Sequence, residues 1–204
     1  MTATTFHETS EMDGCGDPRI ARSRAKMIAA ATELLVELGP RAVTVDAVAE
    51  RSGVAKSTLY RHWDSRTALL VDVIHANVPV MEVPDLTGGF DNALRTVVRQ
   101  FADAFADPEW ARILPALFAL KVQIPEMAEL TANDHDEKLL VLQTVLDQGV
   151  REGRIPSDLD PARVASTLVG PLMFTCMTDM VTDMHELADY VVDRFIDSYA
   201  NSSS

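Results

Sequence analysis

The chain has 204 residues, 47% of them hydrophobic, with 18 Lys and Arg against 31 Asp and Glu for a formal net charge of −13. That length admits two small domains or one larger helical one, and the apolar fraction suffices for a sizeable core. No apolar run reaches the ~18 residues that cross a bilayer, Met1 to Asp17 lack a basic-then-apolar leader pattern, and two distant cysteines, Cys15 and Cys176, suit a reducing cytoplasm better than a disulfide framework.

Residues 1–18 are polar and Gly-containing, with little to bury, and are predicted to form a disordered tail. A first helix is predicted from Arg19 to Leu38. Its apolar face comprises Ile20, Met27, Ile28, Ala31, Leu34, Leu35 and Leu38, and Gly39-Pro40 ends it.

Residues 44–63 read as a helix, a tight glycine turn and a second short helix. Thr44 is an N-cap, since its hydroxyl accepts from a free backbone N–H of the first turn. Asp46 places negative charge at the positive end of the helix dipole. Val45, Val48 and Ala49 share one face. Gly53 supplies the positive φ of a sharp turn. Val54 and Leu59 anchor the second helix, and Trp63 closes the unit. The groups left outward on that second helix are Lys56, Ser57, Thr58, Tyr60, Arg61 and His62, which suit phosphates and base edges. This is a helix-turn-helix pattern, whose second helix can lie in a DNA major groove.

Thr44, Val48, Ala49, Ser52, Gly53, Val54, Thr58, Leu59, Tyr60, His62, Ser65 and Leu69 also match a known pattern. Over about residues 19–75 the chain resembles the tetracycline-repressor (TetR) family. Trp63 stands where the family usually has Phe, Arg66 where it has Lys, and Ala55 lacks a hydroxyl that a frequent Ser would offer DNA. The resemblance implies that Thr44 and Tyr60 hydrogen-bond phosphates, and that Arg22 and Arg66 add charge toward the duplex. It further implies a homodimer on a palindromic operator, with the last two helices of each chain forming a four-helix bundle.

Charge divides along the same line. Residues 1–18 carry four acids and no bases. Residues 19–66 carry nine bases and five acids, a net of +4; residues 67–204 carry nine bases and twenty-two acids, a net of −13. A local basic patch is what counterion release requires, and an acidic remainder discourages DNA elsewhere.

A fourth helix, about Arg66 to Asn77, is predicted to link the two parts, followed by a loop marked by Pro79, Pro84 and Gly88-Gly89. Asp91 to Ala106 is amphipathic. Asp107-Pro108 opens another helix that Pro115 starts or kinks. Pro125 interrupts, and a long helix is predicted from about Ala132 to Glu152. Asp160-Pro161 opens a helix to about Met180 that is apolar nearly all round. The last runs from about Glu186 to Tyr199, with Leu187, Tyr190, Val191, Phe195 and Ile196 on one side. No strand-like alternation is present, so the fold is all-α, and the resemblance implies its division into a three-helix helix-turn-helix domain (19–66) and a helical ligand-binding and dimerisation domain (67–204).

Phe101, Phe105, Trp110, Leu114, Phe118, Met127, Met173 and Met177 are candidates to line an apolar cavity for a small-molecule effector, against the plainer reading of ordinary core. Asp103, Asp107 and Glu109 are acids that would favour a cation, against the plainer reading of solvated surface. Asp134-His135-Asp136-Glu137 reads as an exposed polar helix start rather than a metal site. No phosphate loop, Cys-x-x-Cys, His-Glu-x-x-His or Gly-x-Ser-x-Gly is present. The expectation is a non-enzymatic, cytoplasmic DNA-binding regulator without cofactor, metal or membrane contact. A helical enzyme and a helix-turn-helix used for protein contacts remain the alternatives.

Overall fold

The computed structural model describes residues 18–178 and 183–200. The predicted tail and Cys15 lie almost wholly outside them. All regular structure among the described residues is helical: α1 (Pro18–Leu38), a short 3-10 turn (Pro40–Ala42), α2 (Val45–Ser52), α3 (Lys56–His62), α4 (Arg66–Asn77), α5 (Phe90–Ala106), α6 (Pro108–Lys121), α7 (Pro125–Arg151), α8 (Pro161–Thr178) and α9 (Met184–Ala200).

In α1, Met27, Ala30, Ala31, Leu34 and Leu35 recur at helical spacing and are buried. Ile20 and Leu38, expected on that face, are 54% and 64% exposed. Ile20 lies in the first turn and Leu38 is the last residue of the helix, and neither is covered by a neighbouring element. Gly39, at φ 81°, ends α1 in a conformation that costs glycine little. Buried Thr32 is satisfied by Asn77, whose amide nitrogen donates to its hydroxyl at 2.9 Å and so ties α1 to the end of α4.

α4 packs against α1, α6 and α7, and α5 packs against α6, α7, α8 and α9. One hydrophobic core runs through the described residues, from Met27 and Leu59 to Leu168 and Phe195. α7 begins seven residues earlier than expected. Pro125 does not interrupt it but occupies its first position, where a fixed φ and a missing N–H cost nothing. α7 crosses α5 closely at Gly149, where a Cβ would stand 2.6 Å from the Phe90 ring. One turn later the Glu152 carboxylate accepts from the Phe90 N–H at 3.0 Å and caps α5.

α5 and α9 are joined by ion pairs. Arg99 donates twice to Asp189, at 2.9 and 2.6 Å, while Arg95 reaches Asp189 at 3.2 Å and Asp193 at 2.6 Å. Inward, α9 presents Ala188, Val192 and Phe195; Tyr190, expected on the apolar side, is 60% exposed. α8 buries Val164, Leu168, Leu172 and Thr175 on one stripe but leaves Phe174 and Met177 exposed.

Candidate functional site

The α2–α3 unit is built by short-range forces. The Thr44 hydroxyl oxygen accepts from the Ala47 N–H at 3.2 Å and caps α2. Gly53 turns the chain in the left-handed region, at φ 67° and ψ 18°. Leu59 is 1% exposed and seats α3 on the core. Trp63, also buried, fixes the far end: its indole N–H donates to Asp72 of α4 at 2.6 Å. Arg24 of α1 meets the same carboxylate at 2.5 Å, with its guanidinium carbon 5.9 Å from the centroid of the Trp63 ring. α3 is therefore held by α1 and α4 through one indole, one carboxylate and one guanidinium.

The outer side of α3 presents Lys56, Ser57, Tyr60 and Arg61 to solvent, with Thr58 and His62 half-buried at its edges. Tyr60 is 61% exposed. His62 lies beside Trp63, ring centroids 5.4 Å apart. Thr44 spends an oxygen lone pair on its cap and keeps its O–H proton to donate.

Several basic groups have partners that sequence reasoning missed. Lys56 Nζ is 2.7 Å from Asp46, and that hydrogen bond raises the ammonium's pKa above its ordinary value. Arg51 bridges back to Glu33 and Glu37 of α1 at 3.2 and 3.0 Å. Arg66, expected to add charge toward the duplex, donates through Nε to the Val43 carbonyl at 2.7 Å and through a terminal nitrogen to the Pro40 carbonyl. Its geometry ties α4 to the turn after α1, and only the remaining donors can face a phosphate. Arg22, Lys26, Arg41 and Arg61 are exposed and, among the described residues, without an ion-pair partner.

A second feature lies between α5, α6, α7 and α8. A cavity lobe of about 330 Å³ is lined by Phe101, Phe105, Trp110, Leu114, Phe118 and Met173, together with Pro79 and Met81 of the linker between α4 and α5. A neighbouring lobe of about 270 Å³ is lined mainly by aliphatic residues of α5, α7 and α8. The two share a wall of Phe101, His135, Lys138, Val169 and Met173. Six of the eight cavity candidates thus come together. Met127 and Met177 do not: Met127 is fully buried in the first turn of α7, and Met177 is 47% exposed on α8.

The segment Asp134 to Glu137 is corrected by the early start of α7. It lies in the middle of that helix, so Asp136 and Glu137 remain exposed while Asp134 and Lys138, one turn apart, turn to the cavity. Lys138 Nζ donates to both oxygens of Asp134, at 2.5 and 2.6 Å. The signal was present as an i,i+4 acid–base pair just ahead of Leu139 and Leu142, both on the cavity wall. Asp107 caps α6 through the Glu109 N–H, and Asp103 pairs with His185 at 3.2 Å, so these acids serve the fold outside both lobes. The linker is pinned as it leaves the cavity: the Gln100 amide accepts from the Glu82 N–H at 2.8 Å and donates to the Glu82 carbonyl at 3.1 Å. No described helix is long and apolar enough to cross a membrane.

Residues 27–73 match the family model for bacterial regulatory proteins of the tetR family, and residues 83–195 match that for the tetracyclin repressor-like C-terminal domain. The chain is 27% identical over 192 residues to the HTH-type transcriptional regulator YdeS of Bacillus subtilis, covering 93% of this chain and 96% of that one. It is 26% identical over 147 residues to the HTH-type transcriptional repressor KstR2 of Rhodococcus jostii, covering 67% and 70%. The solved structure of the flavonoid-responsive regulator FrrA superposes with a TM-score of 0.67 at 25% identity, over 87% of this chain and 96% of that one.

Proposed function

The chain belongs to the TetR family of bacterial transcriptional regulators, and from that premise we propose that it is a repressor that grips a palindromic operator with α3 and is released by a small molecule. The observation that carries the reading is the outward side of α3, where Lys56, Ser57, Tyr60 and Arg61 stand exposed on a helix whose other side is locked by Leu59 and Trp63. A rigid helix with hydroxyl, phenol and cationic groups outward fits major-groove edges and flanking phosphates. Thr58 and His62 complete that surface. Thr44 and Tyr60 hydrogen-bond phosphates, and Arg22, joined by the uncommitted donors of Arg66, adds backbone charge.

In this reading residues 19–66 read DNA and residues 67–204 bind the effector and a second copy. Two copies meet through α8 and α9, where Phe174, Met177 and Tyr190 are left exposed on a single chain. A two-fold dimer presents two α3 helices to successive major grooves, ~34–36 Å apart. The effector is largely apolar and occupies the lobes walled by Phe101, Phe105, Trp110, Leu114, Phe118 and Met173. It shifts the population toward a dimer whose α3 spacing no longer suits the operator. The protein acts by binding, in the cytoplasm, without a cofactor.

Selection from a random DNA pool tests this directly. Wild type should enrich a palindrome bound by two chains, with steep salt dependence, and Tyr60→Ala with Arg61→Ala should lose that enrichment. An unchanged preference in the double variant would assign recognition to another surface.

A further inference from the structure

The cavity is not a uniformly greasy space. Its lobes lie in the part of the chain that carries twenty-two acids against nine bases, yet the titratable groups on their walls are Lys121, His135 and Lys138 against Asp134 alone. The sign of the charge is reversed where a ligand would lie. Lys121 lines one lobe and is exposed, and His135 shares the common wall but is also exposed, whereas the side chain of Lys138 on that wall is only 16% exposed.

Lys138 is also incompletely used. An ammonium has three N–H donors, and Asp134 accepts two, one on each oxygen. A wholly apolar occupant would shut the third donor away from water without a partner, which costs free energy. A cationic occupant would lie against an ammonium whose counter-charge is already taken. An anionic group at Lys138 meets neither penalty, and it converts the third donor into a charge-assisted hydrogen bond.

We infer that the cavity takes a small molecule with an apolar body and a single anionic end, of the carboxylate or sulfonate kind, received by Lys138. This rests on the reading of the cavity as the effector site and adds the ligand's chemical class to it. Each lobe lies near the lower end of the ~300–1,000 Å³ range of small-molecule sites, so a body of two or three rings, or a chain of similar bulk, fills it. Asp134 is the competitor: it holds Lys138 in place when the cavity is empty, and its negative charge opposes the incoming anion.

The test compares two fluorescent probes on the full-length protein. 1-Anilinonaphthalene-8-sulfonate and N-phenyl-1-naphthylamine share one aromatic body and differ by the sulfonate. Wild type should bind the sulfonate more tightly than its neutral partner by about tenfold. Asp134→Asn with Lys138→Met, which removes both charges together, should abolish that preference, the sulfonate losing affinity and the neutral probe gaining it as the unpartnered donor disappears. Asp134→Asn alone should tighten the sulfonate further. A preference that survives the double variant overturns the role of Lys138 while leaving the cavity reading intact. Val169→Trp, which fills the shared wall, separates the two readings: it should block both probes, and binding that ignores it overturns the cavity reading and the inference with it. Thermal unfolding identifies any variant that has lost its fold: Lys138→Gln with Asp134→Asn then replaces the charge-removing pair, and Val169→Phe replaces Val169→Trp.

Discussion

Asp46 serves two ends at once. It lies in the first turn of α2, where its charge complements the helix dipole, and it holds Lys56 at 2.7 Å. One of the three Lys56 N–H donors is thus given to a carboxylate whose charge competes with a phosphate for the ammonium. Asp46→Asn should raise operator affinity and steepen the salt dependence of log K by about one, the slope of one freed counterion contact. Lys56→Ala should flatten it in the opposite sense. Fluorescence anisotropy on the selected operator over a range of salt checks both, and identical slopes in the two variants would remove Lys56 from the phosphate contacts. Residue types announced this region well, because caps, glycine turns and buried anchors are local: Thr44, Gly53 and Leu59 do in the fold what their spacing predicts. Pairings across the chain were not legible. Arg66 reads as a surface cation until the carbonyls of Pro40 and Val43, more than twenty residues away, are seen to accept from it.

At the scale of elements, the joint between α5 and α9 depends on ionisation. The hydrogen bonds from Arg99, and after them those from Arg95, hold the Asp189 carboxyl below the usual carboxylate range despite its partial burial. A carboxylate lowered in the folded state stabilises the fold above the ordinary pKa of an unfolded Asp, ~3.9, and that contribution disappears as pH falls through the folded value. Asp189→Asn should therefore lower stability near neutral pH and flatten the acid limb. Urea midpoints measured from neutral pH downward check this, and an acid limb as steep as wild type would show that the joint does not titrate. Glu152 behaves in the same direction, its carboxyl lowered first by the Phe90 N–H and then by Gln148. Element boundaries were legible where a proline or a cap opened a helix, as at Asp107-Pro108 and Asp160-Pro161. α7 was misjudged because Pro125 signals both an end and a beginning, and only its neighbours decide which. Lys138 is legible as one half of an i,i+4 pair with Asp134, but which side of the helix meets the cavity depends on packing against α5 and α8, which no local signal carries.

For the molecule as a whole, the uneven charge and the uncovered faces of α8 and α9 bear on assembly. Phe174→Glu with Tyr190→Glu should convert the dimer into monomer in sedimentation and weaken operator binding, because each α3 would then bind without its partner. A dimer that persists would place the two-fold contact elsewhere. The linker after α4 has the widest reach. Pro79 and Met81 belong to the cavity wall, Glu82 is pinned to α5 by Gln100, and the same stretch leads straight out of the helix that carries Trp63's anchor, Asp72. One strap thus joins a wall of the cavity to the helix that anchors α3. On the proposed mechanism equilibrium reciprocity follows: the factor by which a filled cavity weakens the grip on an operator must equal the factor by which an operator weakens the hold on the small molecule. A cell with many copies of the operator would therefore need a higher dose of the same compound to reach half-release, although no residue of the sensor had changed.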